Sequence, residues 1–529
     1  MKLSRSRAQG PIVAVLAVLA VACSGEAEQP SADQDRSAQT LEAATASETS
    51  GWQASRLTDP RPSVVLIVID TLRADAVSAH GLVAGTTPHL DAMAAKGLRY
   101  EHAYAPAPWT AASHASLFSG LRVDEHGVGL DGLNVMPESF QVLAEDFREA
   151  GYATASFAEN ALIDEEFGFD RGFDRFAAPD LLAGIDASIR GDALEPFQLV
   201  ERVRAWNRER DKSRPYFLFV NIFDAHDPYR VRDTNPWVPE DLPKEELEYI
   251  TSKYSIPYSL CDALPTRKHL DLLRGLYLGD VASADEKLGS ILEILEEGDE
   301  GTPRIVVATS DHGEHLGENR LMGHRFSVRN VALHIPLIVT GLPDRQPGVI
   351  EQAVELRSVR ASLLCWALGS ACGEALPQET SSRVVSTSES DSGVGGDAAE
   401  SIFSIYSDSV LGMPDWVREH FKIEEEEELP SQARANCSAQ DPVFGEMVSM
   451  IRFPMKITWF SNHEPVLHDL RWDQAERSDQ TKNQPELAAT LRREVEAFVR
   501  RNLDGRARQD VPELSEEAAR RLRQLGYIE

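Results

Sequence analysis

The sequence predicts an α/β fold, with a large and mostly parallel sheet flanked by helices and a smaller C-terminal α+β subdomain. Apolar runs of strand length alternate with segments whose apolar residues recur at helical spacing, and this pattern is typical of a parallel sheet covered by helices. The strand-like runs at 63–70 and 304–311 each end in a carboxylate after mostly apolar residues. The chain has 529 residues, of which 42% are hydrophobic, enough for one large domain with an appendage.

The predicted elements follow one another along the chain with recognisable ends. Residues 90–97 and 139–150 have helical spacing, and each segment is closed by a glycine, the residue that best tolerates the left-handed conformation at a helix end. Residues 216–223 form a strongly apolar strand run, and residues 335–339 form another. The pattern also predicts strands at 152–157 and 455–460, and helices at 197–210, 269–297, 485–502 and 515–527.

Composition divides the chain into five segments. Residues 1–23 form a targeting segment, and residues 24–60, rich in Ala, Ser, Glu, Gln and Thr, form a flexible linker. The main domain spans 61–380. A stretch rich in Ser and Gly then opens a C-terminal subdomain at 381–480, and residues 481–529 form C-terminal helices.

The N-terminus has the pattern of a bacterial export signal. Basic residues precede an apolar stretch at 11–22 that is short for a membrane span, and Cys23 follows it. Residues 19–23 resemble a lipobox, in which the cysteine is lipidated after cleavage. We therefore expect an exported protein of the bacterial cell envelope, held by a lipid anchor at the periplasmic or outer-membrane face. Plain secretion and a retained anchor are the alternatives.

Charge and cysteine content narrow the classes of partner. The formal net charge is −32, which argues against nucleic acid as a partner because phosphate binding requires basic patches. The sequence has no Cys-x-x-Cys pattern that would indicate a zinc site. Cys365 and Cys372 are close enough in sequence to pair across a helix end in an oxidising compartment, or they are buried free thiols. The oligomeric state is left open.

Metal-ligand side chains end two of the predicted strands. Asp70 closes the first, and Asp311 and His312 close the later one. Because active sites of open α/β sheets form outside the carboxyl ends of the strands, we expect these residues to bind one divalent metal ion. Carboxylate with imidazole suits a transition metal or a mixed site better than a pure calcium cage, although Ca, Mn, Zn and Mg are all left open. The alternatives are a helix N-cap for Asp70 and a metal-free Asp-His-Gly turn.

A group of hydroxyls lies where a loop runs into a predicted helix. Thr110 is the candidate nucleophile, because a metal-activated hydroxyl at a helix N-terminus suits attack on an anionic ester. Ser113, one turn further on, is the reserve nucleophile and a candidate substrate contact. A helix N-cap is the alternative role for Thr110.

These motifs, in this order, resemble the sulfatases of the alkaline phosphatase superfamily over roughly residues 61–480. Sulfatases carry a Cys-x-Pro-x-Arg or Ser-x-Pro-x-Arg signature whose first residue is converted to formylglycine. In the matching stretch at 108–120, Thr110 stands at the converted position and His114 at the arginine. A threonine cannot become formylglycine, so we expect none. The resemblance makes residues 61–380 the catalytic domain.

The resemblance also implies roles for further side chains. His226 lies in a segment similar to the family's Asp-Pro-His-x-Pro-Tyr, and His324 lies at another position where a histidine meets the substrate. Both would contact the transferred group or protonate the leaving alcohol. His114 would donate to the oxyanion, and Arg325 would bind the anion. The alternatives are an Asp-Pro turn around His226 and a surface histidine at 324.

The implied function is metal-dependent hydrolysis of a sulfate or phosphate ester, with a small-molecule or glycan ester as substrate. Threonine is the nucleophile in phosphodiesterase and phosphoethanolamine-transferase branches of the superfamily, so Thr110 fits a phosphoryl-type reaction at least as well. The alternatives are a transferase that moves a phospho-substituent and an inactive binding protein that retains the fold. Four departures from the family pattern favour the inactive protein: Thr71, where the family has a second aspartate, Thr110, His114, and Leu121, where a basic residue is usual.

Overall fold

The structure is a computed structural model. It describes residues 61–81, 85–130, 135–179, 197–254, 265–297, 299, 301–324, 327–378, 401–407 and 445–503. The targeting segment with Cys23, the linker, Arg325 and the predicted helix at 515–527 lie outside these residues. Within the described ranges, no helix is long and apolar enough to cross a membrane.

The described strands are β1 (Ser63–Ile69), β2 (Leu98–Tyr104), β3 (Ala153–Ala158), β4 (Arg175–Ala177), β5 (Tyr216–Ile222), β6 (Arg304–Thr309), β7 (His315–Leu316), β8 (Met322–Gly323), β9 (His334–Thr340), β10 (Gly348–Ile350), β11 (Val354–Glu355), β12 (Ile402–Tyr406), β13 (Met447–Arg452), β14 (Met455–Phe460) and β15 (Val466–Asp469). The main domain is built on one nine-stranded sheet, in the order β10-β2-β9-β6-β1-β5-β3-β4, with β11 also pairing with β2. The short strands β7 and β8 form a separate hairpin, and a second sheet lies near the C-terminus.

Helices cover both faces of the main sheet, and the apolar strands are buried between them. Alternate residues of a strand point to opposite faces, so β1 contributes to two separate apolar clusters, Val64, Leu66 and Val68 to one and Val65, Ile67 and Ile69 to the other. The α-helices are α1 (Pro88–Ala94), α2 (Thr110–Ser119), α3 (Val123–His126), α4 (Leu143–Glu149), α5 (Leu199–Glu209), α6 (Lys244–Tyr254), α7 (Arg267–Glu296), α8 (Asn330–Leu333), α9 (Ser358–Leu368) and α10 (Pro485–Asn502).

The predicted fold class is confirmed, and β9 shows why the sheet is mixed. In this sheet β9 runs antiparallel to both of its neighbours, β2 and β6. A parallel return needs a crossover that carries the chain back to the other end of the sheet. Between β6 and β9 the chain forms only a two-residue hairpin, a 3₁₀ turn and the four-residue α8. It therefore enters β9 from the edge at which β6 ended.

The second sheet is antiparallel, in the order β12-β13-β14-β15, and α10 packs on it, with Phe498 stacked on Phe403 at 3.9 Å. Its buried Lys456 forms an ion pair with Glu476 at 2.7 Å and donates to the main-chain oxygen of Val328. These contacts fix the second sheet against the segment that follows the β7–β8 hairpin.

Two local predictions are settled by the structure. Cys365 and Cys372 form a disulfide at the end of α9, so the pairing prediction is confirmed and the free-thiol alternative is wrong. The helix predicted at 139–150 is shorter, because α4 begins only at Leu143, where the side chain of Glu145 reaches back to the main-chain N–H of Val142.

Candidate active site

The candidate metal ligands come from two neighbouring parallel strands. β1 pairs with β6 in a register that sets Val68 opposite Thr309, so the residues just beyond both strands lie side by side. Asp70 follows β1, and Asp311 and His312 follow β6. One ligand atom from each of the three lies within 4.8 Å of the others, and all three side chains are buried.

In Asp70 and in Asp311, one carboxylate oxygen accepts hydrogen bonds and the other has no hydrogen-bond partner. Oδ2 of Asp70 accepts from Nδ2 of Asn160 at 2.7 Å and from Nδ2 of Asn221 at 3.2 Å. Oδ1 of Asp311 accepts the main-chain N–H groups of Thr71 at 3.2 Å and of His312 at 2.9 Å. The remaining oxygens, Oδ1 of Asp70 and Oδ2 of Asp311, have no donor.

His312 completes the set. Its Nδ1 lies 3.0 Å from the main-chain oxygen of Gly313, an acceptor that fixes the proton on Nδ1 and leaves Nε2 as a lone-pair donor. Nε2 has no hydrogen-bond partner and lies 3.3 Å from Oδ2 of Asp311. Gly313 allows this turn, because a Cβ there would lie 2.2 Å from the main-chain oxygen of Val331.

A divalent cation fits these residues on chemical grounds. Burial raises the pKa of Asp70, and the neighbouring charge of Asp311 raises it further. Two carboxylates without a cation are costly in a buried site, and an ion bound to the three free ligand atoms would offset that cost. Two oxygens and one imidazole suit a transition metal or a mixed site.

Thr71 follows Asp70, and its hydroxyl is bonded to the main chain rather than directed at the candidate ligands. The residue has a left-handed backbone, with φ of 55°. Its Oγ1 donates to the main-chain oxygen of Ala225 at 2.9 Å. This hydrogen bond connects the end of β1 to the segment that carries His226, so Thr71 stabilises the position of that segment.

Thr110 lies beside the ligand set as the first residue of α2. Trp109 occupies the N-cap position and Thr110 makes no capping hydrogen bond, so the N-cap alternative for Thr110 is wrong. Its Oγ1 accepts from Nδ2 of Asn160 at 3.2 Å. Because Asn160 also binds Asp70, the hydroxyl and the ligand set share one side chain.

Ser113 and His114 are both fully buried in α2. The hydroxyl of Ser113 donates to the main-chain oxygen of Asp311 at 2.7 Å, which favours a positioning role over the predicted reserve nucleophile. Nδ1 of His114 lies 2.9 Å from the main-chain oxygen of Thr110 and 3.6 Å from Oδ2 of Asp311, whereas its Nε2 has no hydrogen-bond partner. Burial lowers the pKa of His114 to about 4. The role of His114 toward the ester therefore stays a prediction.

The open side of the site is lined by imidazoles. The His324 ring lies 4.5 Å from that of His312 and 5.1 Å from that of His226, which stacks on Phe223 at 4.4 Å. Both His226 and His324 retain some solvent exposure. They are therefore the described site histidines with access to a bound ester.

Glu314 lies on the buried side of these histidines. Its Oε2 accepts from the hydroxyl of Tyr229 at 2.8 Å, and its Oε1 lies 3.6 Å from Nδ1 of His324. Burial raises the pKa of Glu314 well above its ordinary value, and Asp227 adds to this effect. Glu314 therefore places a buried carboxyl group beside the His324 ring.

Sequence reasoning missed Asn160, Asn221, Glu314 and Tyr229. Asn160 follows β3 as Asp70 follows β1, so its position at the end of a strand was a usable signal. Asn221 lies inside an apolar run, where nothing distinguishes a polar residue that faces a ligand from one that packs. The predicted anion contact Arg325 lies outside the described residues.

The sheet brings a candidate metal-ligand set and the hydroxyl of Thr110 together at its C-terminal edge, the place where the active sites of α/β enzymes form. The chain matches the Sulfatase family over residues 62–370, more than half of its length. It therefore belongs to the sulfatase family, a family of ester hydrolases.

Curated relatives are distant. An arylsulfatase of Clostridium perfringens is 24% identical over 58% of this chain and 75% of its own length. An N-acetylglucosamine-6-O-sulfatase of Bacteroides thetaiotaomicron is 24% identical over 56% of this chain and 66% of its own length. A third, human iduronate 2-sulfatase, aligns over 64% of its own length.

Solved structures share the fold. Phosphonate monoester hydrolases of Agrobacterium radiobacter and Silicibacter pomeroyi superpose with TM-scores of 0.58 and 0.59, at 18% and 21% identity, over 84% of this chain and 96% of theirs. A 2-O glycosaminoglycan sulfatase superposes with a TM-score of 0.58 at 17% identity, over 84% of this chain and 93% of its own.

Proposed function

We propose that this protein hydrolyses sulfate or phosphate esters, with Thr110 as the nucleophile and one divalent metal ion held by Asp70, Asp311 and His312. The observation that carries the proposal is the convergence of three buried ligand atoms without hydrogen-bond partners next to the Thr110 hydroxyl. A buried polar atom without a partner is costly, and a metal ion with an anionic ester would satisfy this group.

The reaction proceeds in two displacements. A divalent ion held by Asp70, Asp311 and His312 would lower the pKa of a hydroxyl bound to it and would neutralise charge on the ester. Thr110, after losing its proton to solvent, forms a bond from Oγ to sulfur or phosphorus, while the bond to the leaving oxygen breaks and that oxygen takes a proton from His226 or His324. Water then attacks the same centre and returns a proton to that histidine, and Oγ leaves and regains its own proton.

Phosphoryl transfer fits this nucleophile at least as well as sulfuryl transfer. A formylglycine hydrate can expel sulfate by collapsing to the aldehyde, whereas a threonine ester must be hydrolysed directly. A phosphate ester gains more from metal and imidazole, because it carries more charge to neutralise. The family contains arylsulfatases, and the fold is shared with phosphonate monoester hydrolases, so both kinds of ester belong in the test.

The test is a substrate panel on the purified protein with added Mg²⁺, Ca²⁺, Mn²⁺ or Zn²⁺. The panel consists of p-nitrophenyl sulfate, p-nitrophenyl phosphate, bis(p-nitrophenyl) phosphate and p-nitrophenyl phenylphosphonate. We expect turnover of a phosphoester to equal or exceed that of the sulfate, and Thr110→Ala to lower kcat by about 10³-fold or more, as removal of a nucleophile does. Ser113→Ala is the matched control on the same helix, and its kcat should fall far less. Loss with Ser113→Ala alone would move the nucleophile one turn along α2.

An inactive binding protein is the competing function, favoured by the hydroxyl of Thr71, which is bonded to Ala225 rather than free for a ligand. Metal binding without turnover of any panel substrate would support it.

We also propose that the protein is exported and anchored by a lipid on Cys23. The basic start, the apolar stretch and Cys23 support this proposal. Cys23→Ser should move the protein from the membrane fraction to the soluble fraction of the cell envelope or medium. A variant that stays with the membrane would contradict the lipid anchor.

A further inference from the structure

Asn160 lies between the candidate nucleophile and a candidate metal ligand. Its Nδ2 donates to Oδ2 of Asp70 at 2.7 Å and to Oγ1 of Thr110 at 3.2 Å, so both amide hydrogens are used. Its Oδ1 accepts the main-chain N–H of Leu162 at 2.9 Å. A flipped amide would set oxygen against the oxygen of Asp70, so the orientation is fixed from both ends.

The backbone of Asn160 is equally constrained. Its N–H donates to Oδ1 of Asn221 at 3.1 Å, and Asn221 in turn donates to Asp70. The preceding residue, Glu159, is held by Lys287 of α7 at 2.7 Å and 3.0 Å. The amide of Asn160 is therefore a preorganised donor whose position does not depend on the substrate.

We propose that Asn160 is a catalytic residue, which fixes Oγ1 of Thr110 in place and stabilises the negative charge that develops on that oxygen. This inference rests on the proposed role of Thr110. Among the described residues, no lysine or arginine forms a hydrogen bond with Thr110, and Nδ1 of His114 is directed at the main-chain oxygen of Thr110 rather than at its hydroxyl. The N–H of Asn160 is the described donor to the reacting oxygen, in a buried site where such a bond is strongest.

The same side chain links metal binding to the nucleophile. The shared Nδ2 orients Asp70 with one hydrogen and Thr110 with the other, so loss of the amide affects both. Asn221 also donates to Asp70, but its Oδ1 holds the main-chain N–H of Asn160, so its loss would disturb both residues. The matched control is Asn207 of α5, a buried asparagine whose Nδ2 donates to the main-chain oxygen of Ile294 at 2.7 Å. Measurement at saturating Mn²⁺ separates an effect on the metal ligand from an effect on the nucleophile.

The experiment compares Asn160→Ala, Asn160→Asp and Asn207→Ala with wild type at saturating Mn²⁺. The readouts are kcat and KM on the best panel ester and the Kd of orthovanadate, a phosphate mimic that bonds to the nucleophile, by calorimetry. We expect both Asn160 variants to lower kcat about 100-fold or more, the loss typical of one missing donor to a developing oxyanion, with KM little changed and vanadate bound at least tenfold more weakly. Asn160→Asp keeps the shape and the acceptor, so it serves if the alanine variant does not fold.

Asn207→Ala should keep the kcat and the vanadate affinity of wild type. The proposal is overturned if excess Mn²⁺ restores the Asn160 variants, or if Asn207→Ala loses as much as they do. Wild type that binds vanadate through Thr110 yet turns over no ester would refute the proposed hydrolysis, and vanadate affinity alone would then decide the role of Asn160. Wild type that neither binds vanadate nor turns over an ester overturns both.

Discussion

Two pairs of carboxylates lie at the same edge of the main sheet, and they differ in whether a cationic side chain is bound to them. Asp70 and Asp311 follow the neighbouring strands β1 and β6, and Glu159 and Asp224 follow the neighbouring strands β3 and β5. Lys287 of α7 places its Nζ between the second pair and binds both carboxylates. In the described part of the chain, no lysine or arginine forms an ion pair with the first pair.

The pKa shifts differ accordingly. Burial would raise the pKa of Asp224, but the ammonium group of Lys287 outweighs it and the pKa is lowered. Burial raises the pKa of Asp70, and there the nearest strong charge is another carboxylate, which raises it again. Glu159, like Asp70, keeps a raised pKa because it is buried, so the contrast lies between Asp70 and Asp224. Asp224 forms ion pairs with Lys287 and Arg232, and these cations do for it what a bound metal ion would do for Asp70.

The strongest test of this comparison removes a charge from the pair that lacks a cation. Asp311→Asn keeps the acceptor for the N–H groups of Thr71 and His312 but removes a metal ligand. We expect the affinity for Mn²⁺ to fall by about 100-fold or more, beyond the usual cost of losing an outer-shell partner. Metal-free protein should be as stable as wild type or more so, because the repulsion of Asp70 is relieved.

Calorimetric titration with Mn²⁺ and thermal unfolding in chelator check both outcomes. Asp280→Asn is the matched control, since Asp280 is a buried carboxylate already bonded to Arg232 and to the main-chain N–H of Arg230. Its metal affinity should stay close to that of wild type. Unchanged Mn²⁺ binding in Asp311→Asn would contradict the proposal that Asp311 is a metal ligand.

The opposite manipulation removes a cation from the second pair. Lys287→Met removes the one group that binds both Glu159 and Asp224, while Arg232 stays paired with Asp224. The free energy of unfolding at neutral pH should therefore fall by about 3 kcal/mol, the lower end of the cost of breaking a buried pair, because Lys287 keeps some solvent exposure and the arginine remains. Urea unfolding of the full chain measures it. Lys268→Met, on the exposed first turn of α7, should cost less than about 1 kcal/mol.

The loss in Lys287→Met should depend on pH with a defined sign. Because the pKa of Asp224 is lowered in the folded protein, the stability from this ion pair is present above the pKa of the unfolded carboxylate and is lost as the pH falls through the folded value. The difference between variant and wild type should therefore shrink in acid. A difference that grows in acid would mean that the carboxylates are not the cause.

The same contrast explains what the sequence could predict. Runs such as residues 63–70 specify a buried parallel strand by composition alone, and a carboxylate at the end of such a run is locally conspicuous. The fold class followed from the first signal, and the candidate ligands from the second. Which partners meet across distant segments could not be predicted: the strand-end position of Asn160 marked it as a candidate but did not pair it with Asp70, and nothing placed Lys287 between Glu159 and Asp224. The direction of β9 was also hidden, because it depends on a connection without a crossover helix.

The smallest effect expected in this comparison comes from a neutral donor to the paired carboxylates. Oγ of Ser283 on α7 donates to Oδ1 of Asp224 at 2.8 Å, and Arg232 donates to the same oxygen at 3.1 Å. Ser283→Ala should lower the free energy of unfolding by only about 1.5 kcal/mol, the low end for a hydrogen bond to a charged group, because the arginine remains. Ser290→Ala, on the same helix, should stay within about 0.5 kcal/mol of wild type. Mn²⁺ affinity should be unchanged in both variants. A Ser283→Ala protein that binds Mn²⁺ as poorly as Asp311→Asn would show that the two carboxylate pairs are coupled, since Asp224 lies two residues before His226, and would contradict their separation into a structural pair and a metal-binding pair.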